Sequence, residues 1–547
     1  MKKSLFVLAV LWPLAGLSAQ EIPADSAPVL PELVPVSPAS GAATVAAPTT
    51  PTVPVVPRDS TDVLREATVA YNAGLAAIKR GDWNVAAQNF GKVAALSPDD
   101  AAAFSFLGYA RLQQKNWDGA LQALETASEK GGSLDAKSRA QLLNNIGFAR
   151  WNKDEYPAAK TAFEAALALD PTYYDARYNL ALAMVSRGEH ASALPHLRNL
   201  VAANPKDATT QEALGEAFEK TGNQGGALGA YKRAIELAPK NEAYRFKFAM
   251  LLLTGERRAD ALNAFREILQ INPNNAPVLL QIGDIHLRSN RWNDAAAALR
   301  RYTALRGDDF TGRFNLGVAL DYSSKFKEAL EQYSEAEKLN PRDPAVKNNI
   351  GRIHFKQDNL AGAVERFNAA LAIDPDFHDA RTNLAIVLAA QGKLDESNEQ
   401  WQTLSKAAEN GVRSATKDIE RRAMNARLAT ARSGLASNYL AQEKPDLAAV
   451  EYRKMLANTP SDLEARAGLG RALFLQKDLA GAEAAYREVV KSSPKNANAL
   501  NDLGVVLEAR KDRKGALEAY AKALEIEPTH AEAKSNLARL ETAAPIS

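Results

Sequence analysis

The sequence has no cysteine among its 547 residues. That excludes a disulfide framework, a thiolate metal site and a lipid-bearing cysteine near the start of the chain. Aromatic residues are scarce at 7% against a hydrophobic total of 46%, so a core has to close through Ala and Leu packing instead of bulky rings. No sign of charge dominates. The formal net charge is +2 and falls to zero without Lys2 and Lys3, which gives no support to a general nucleic-acid or anionic-membrane binder. The histidines, His190, His196, His286, His354, His378 and His530, share no metal-ligand spacing. Nucleophile elbows, Walker loops and kinase signatures are also missing. No metal, no cofactor and no catalysis are expected.

What the chain does have is a period. Leu316-Gly317 returns as Ile282-Gly283, Ile350-Gly351 and Leu384-Ala385 on a stride of 34 residues, and upstream as Leu214-Gly215, Leu180-Ala181 and Ile146-Gly147. After each pair comes an Ala (Ala295, Ala329, Ala363), then four residues later a ring or Leu (Leu299, Tyr333, Phe367), and most repeats end in a closing Pro (Pro171, Pro205, Pro239, Pro273, Pro341, Pro375). The small residue after the Leu lets two helices approach, and the Ala and ring share one helical face. Proline ends the second helix, because it lacks an N–H and disfavours helix in the residue before it.

A fixed stride of this length marks a solenoid. The pattern resembles the tetratricopeptide repeat, with its usual Trp mostly replaced by Arg, Leu or Lys. The resemblance covers about residues 67–540 and implies an all-α, right-handed superhelical solenoid of about 13 helix-turn-helix repeats with a C-terminal capping helix. Repeats start near Ala67, Ala101, Ala140, Tyr174, Ala208, Glu242, Ala276, Phe310, Pro344, His378, Ala429, Leu463 and Ala497.

Around the array the organisation is simple. Residues 1–19, with Lys2, Lys3 and the apolar run Leu5 to Trp12, have the parts of a secretory signal, so export to a periplasm or cell envelope is expected. The run is too short for an ordinary membrane span, and the cleavage site is open. Residues 20–60 hold 9 of the 26 prolines and are expected to form a disordered Pro/Ala/Thr-rich linker, inert or a tether, with a reach of roughly 120 Å. The array runs over 67–410, is interrupted at 411–428 by an irregular basic insert or hinge, resumes over 429–530, and ends in a cap at 531–542. The cations Arg413, Lys417, Arg421, Arg422, Arg427 and Arg432 read as the solvated face of an extended helix or as a patch for an anionic polymer. Gly468-Leu469-Gly470 opens like a phosphate loop, but no strand precedes it and the repeat register accounts for it.

The functional residues are sought on the first helices, in the concave groove. Asn72, Asn145, Asn179, Asn315, Asn349 and Asn383 recur once per repeat, just before the Leu. A carboxamide both donates and accepts, so such a ladder can hold peptide backbone, or can serve the fold alone. It resembles the asparagine ladder in the tetratricopeptide superhelix of O-linked N-acetylglucosamine transferases. Beside it Tyr178, Phe314, Tyr322 and Arg352 are candidate anchors. The expected function is a non-catalytic protein-interaction scaffold or adaptor of the cell envelope, binding extended peptides or partner helices. The alternative is a subunit of a machine for polysaccharide export, pilus or outer-membrane assembly. Partners are proteins first and a polysaccharide second, not nucleic acid, and a membrane only if the signal stays uncleaved.

Overall fold

The computed structural model describes residues 61–542, so the expected signal and linker lie outside the described residues. Those described form 27 α-helices, one short 3-10 turn at Gly131–Ser133, and no strand. They fall into two compact units, 61–285 and 286–542, with the boundary inside the helix Ala276–Arg288. Each unit is a run of helical hairpins. Ten helices begin at the residue where a repeat begins, among them Ala101, Tyr174, Phe310, Pro344, His378 and Leu463.

Local chemistry sets the helix ends. Phe326–Leu339 stops at Asn340, whose Oδ1 accepts from the Arg342 N–H at 3.3 Å. Three residues on, Asp343 caps the next helix, its Oδ1 accepting from the Val346 N–H at 3.0 Å, and Pro344 takes the first helical position, where no N–H is needed. Between the two helices of a repeat the chain turns through a left-handed residue. Gly188 and Gly392 supply it without strain at φ 78°, whereas Ser324 and Glu256 adopt it at 58° and 59°.

Packing within a hairpin rests on the small residue of the first helix. A Cβ at Gly317 would lie 2.6 Å from the ring of Tyr333, and one at Gly351 would lie 2.7 Å from that of Phe367. Both rings are wholly buried. The second-helix alanines Ala329, Ala336, Ala363 and Ala370 are also wholly buried, which fits a core closed by small side chains. Gly468 and Gly470 belong to the same device. They lie inside the helix Leu463–Leu475, against Tyr452 and Tyr486, so no phosphate loop forms.

The stretch 411–428, expected to be irregular, is helical over most of its length. Its extra residues lengthen two successive helices, to 21 residues at Leu394–Ser414 and 24 at Asp418–Ala441, where ordinary repeats have 14 and 13. Only Ala415–Lys417 break the pair. Helix-favouring residues from Arg421 to Ala431 extend the second helix backwards, and Gly411 lets the two helices of the hairpin touch: a Cβ there would meet Met424 Sδ at 2.7 Å. Ala531–Thr542 closes the last repeat with Leu540 buried and Leu537 against the same cluster.

Candidate functional site

In the unit 286–542, the first helices Phe310–Tyr322, Pro344–Lys356 and His378–Ala390 follow one another and carry six of the ten candidate residues plus their neighbours. Tyr322 is exposed and stacks on Trp292 at 4.4 Å between centroids. The Arg352 guanidinium sits 5.3 Å over the Tyr322 ring, and Lys356 Nζ lies 5.6 Å from the same ring and 5.4 Å from that of Phe326. Under them is Asp321, whose carboxylate is fully buried. Its Oδ1 accepts from Lys356 Nζ at 2.7 Å, and Arg352 Nη2 stands 3.5 Å from its Oδ2.

Two cations thus meet one buried carboxylate, leaving a net positive, aromatic-walled surface. Burial alone would lower the pKa of Arg352, but Tyr322, Asp321 and Tyr333 outweigh it and hold it above its ordinary value. Burial, with the Asp321 charge, drives the Tyr333 phenol well above its usual range. Phe314, half-buried, stacks on Phe310 at 5.8 Å and leans on Tyr333 at 5.9 Å.

The six asparagines do not form one exposed row. Asn145 and Asn179 are fully buried and Asn349 nearly so, Asn315 and Asn383 are half-buried, and Asn72 is exposed. Asn179 Nδ2 donates to Asn144 Oδ1 at 2.9 Å, and Asn383 Nδ2 to Asn348 Oδ1 at 2.9 Å, each reaching back 35 residues into the preceding repeat. Asn536 repeats the geometry toward Asn501 at 3.0 Å. Lys247 occupies the same register position and reaches back to Glu212, also pairing with Glu216 at 2.7 Å. At Asn179, Lys247, Asn383 and Asn536 the slot is therefore an inter-repeat link. Asn349 accepts from Arg352 Nη1 at 3.3 Å. Asn315 is left with an amide that no hydrogen bond within the described residues engages.

Tyr178 is buried, stacked on Tyr174 at 6.1 Å, so it supports the fold of the unit 61–285 and is not an open anchor. The reading from sequence missed Asn144, Asn348, Asp321, Trp292 and Lys356. The doubled Asn144-Asn145 and Asn348-Asn349 were visible, and the first member of each pair is the acceptor that the next repeat needs. Among the described residues no group of three or more His, Cys, Asp or Glu side chains could hold a metal ion, and no helix is long and apolar enough to cross a membrane.

Two models of the tetratricopeptide repeat match the sequence, one over residues 71–133, 146–195, 183–242, 314–376, 433–497 and 478–531, the other over 252–311 and 354–415. The chain belongs to the tetratricopeptide repeat family. Tetratricopeptide proteins serve in general as non-catalytic interaction scaffolds that bind protein partners. Solved tetratricopeptide structures resemble parts of the chain. YrrB, a tetratricopeptide protein with an unusual peptide-binding site, is 21% identical over 34% of this chain and 95% of its own, with a TM-score of 0.32. MamA is 26% identical over 33% and 96%, TM-score 0.29, and the C-terminal part of a repeat protein from Cytophaga hutchinsonii is 15% identical over 45% and 98%, TM-score 0.40. No curated protein matches the sequence.

Proposed function

We propose that the chain is an exported, non-catalytic scaffold of the cell envelope that holds an extended segment of a partner protein along the first-helix face of residues 310–390. The observation that carries this reading is the cluster of Phe314, Asn315, Tyr322 and Arg352. It combines an exposed ring, a half-exposed ring, an unengaged carboxamide and a guanidinium on one run of helices, the side-chain types that anchor protein interfaces. The excess of positive charge over Asp321 favours an acidic or phenol-bearing segment. Export rests on the basic start and short apolar run of residues 1–19.

The test is capture from an envelope fraction by the parent chain and by an Asn315→Ala, Tyr322→Ala double variant, with circular dichroism checking that the loss of the Tyr322 contacts to Trp292 and Arg352 leaves the repeats folded. A protein retained by the parent and lost by the variant is the expected result. Equal retention would move the binding surface away from this face. A second reading, a subunit of a machine for polysaccharide export, pilus or outer-membrane assembly, draws on the stacked rings of Trp292 and Tyr322, a side-chain type that also packs against sugars. Binding of purified glycan that needs Tyr322 but not Asn315 would favour it. Recovery of the chain from the cytoplasm, with residues 1–19 still attached, would remove the envelope from both readings.

A further inference from the structure

The lengthened helices Leu394–Ser414 and Asp418–Ala441 form a hairpin seven and eleven residues longer than its neighbours. At about 1.5 Å per helical residue, its tip stands about 10 Å or more beyond the ordinary repeat edge. The base is well packed: Leu404, Ala408, Leu428 and Ala431 are buried, and Arg432 Nη2 bonds Glu409 Oε1 at 2.8 Å. The tip is ordered by its own contacts. Gly411 lies against Met424, Arg421 Nη2 donates to the Ala415 carbonyl at 3.1 Å, and the Ala415 N–H donates to the Gly411 carbonyl at 2.9 Å.

On this tip stands Ile419. At 76% exposure it is the most exposed large apolar side chain among the described residues. Ala423 and Ala426 continue its helical face and are exposed as well. Around it are Arg413, Lys417, Arg421 and Arg422, all exposed. Asp418 pairs with Arg421 at 2.9 Å and Glu420 with Lys417 at 3.6 Å, so Arg413 and Arg422 keep their charge uncompensated among the described residues. The rest of the chain is close to neutral, which makes this local excess the exception.

We propose that this tip is a docking surface for an anionic phospholipid bilayer, with Ile419 entering the boundary between headgroups and acyl chains. The cations account for attraction to a negative leaflet. They do not account for an isoleucine held in water at the end of a projecting hairpin, which a soluble polyanion would leave exposed and a bilayer interface would bury. This inference does not depend on the peptide-binding reading and concerns a different surface.

Because the chain has no cysteine, one can be placed at will. The full chain carrying Ile419→Cys, labelled with an environment-sensitive fluorophore, is mixed with phosphatidylcholine vesicles with and without phosphatidylglycerol. A second chain is labelled at Ser492→Cys, an exposed position in the same unit. The expected result is a blue-shifted, brighter signal at 419 with phosphatidylglycerol only, none at 492, and loss at high salt. Adding Arg413→Glu and Arg422→Glu, at the two uncompensated cations, should weaken the partitioning roughly tenfold or more, while circular dichroism stays that of the parent. No change at 419, an equal change at 492, or equal binding to neutral vesicles would each overturn the proposal. Binding of a soluble polyanion without any vesicle response would replace the bilayer with a polymer and overturn it too.

Discussion

Asn383 and Asn315 occupy the same register position and do different things. The Asn383 amide reaches Asn348, which is 5% exposed; removing it leaves a buried carbonyl oxygen without that donor. Asn383→Ala is therefore expected to lower stability by about 1–3 kcal/mol. Asn315→Ala should change it by less than about 0.5 kcal/mol. Urea unfolding of the two variants reads the difference, and equal losses would show that the link is not what holds the repeats in register. The periodicity of these amides was legible in the sequence. Their targets were not, because the acceptor lies one repeat away and only stacking brings it within reach.

Glu337 gives the residue scale a pH dependence. It bonds Lys347 Nζ at 2.5 Å and Arg366 Nη1 at 3.1 Å. Burial pushes its carboxyl up, but Lys347 and Arg366 prevail and hold it below its ordinary 4.5. A carboxylate depressed by folding stabilises the folded chain above its unfolded value and loses that effect as pH falls through the folded one. The stability difference between the parent and Glu337→Gln should thus be full at neutral pH and shrink below pH 4.5. A difference that stays constant into acid would contradict the assignment.

At the scale of the element, the 34-residue stride placed ten helix starts to the residue, since Pro, cap and small residue all point the same way, whereas the helices expected at Ala67, Ala140 and Ala429 begin earlier, at Thr61, Ala136 and Asp418. It failed where the rhythm broke. Residues 411–428 read as a hinge because Gly411 and the missing period suggested irregular chain. The tight approach of Gly411 to Met424 turns that glycine into a packing residue of a longer hairpin. The turn between the two helices of a repeat was also unread: its left-handed residue is Gly at 188 and 392 but Glu at 256. Glu256→Gly should relieve a left-handed conformation that costs a residue with a side chain about 1–2 kcal/mol, less the added entropy of the unfolded glycine. A small rise in Tm is expected; a fall would mean that Glu256 makes a contact worth more than its strain.

At the scale of the whole molecule, each repeat is supported only by its neighbours, so damage should stay local. Ala531–Thr542 covers Leu503 and Leu507 of the last repeat. Deleting 531–547 should speed amide exchange over 497–526 and leave the helices of 344–373 protected as before. Faster exchange through both regions would mean that the unit 286–542 unfolds as one block.

The face of residues 310–390 is the centre of the functional account, and photocrosslinking from Asn315 tests it most directly. A photoreactive side chain at 315, with a second chain carrying it at Ser492 as the control, is activated in an envelope fraction, and the adducts are identified by mass spectrometry. The account predicts one protein partner joined at 315 through a single extended segment, absent at 492 and absent when Tyr322→Ala is added. Adducts that are the same from both positions, or that persist without Tyr322, would contradict it.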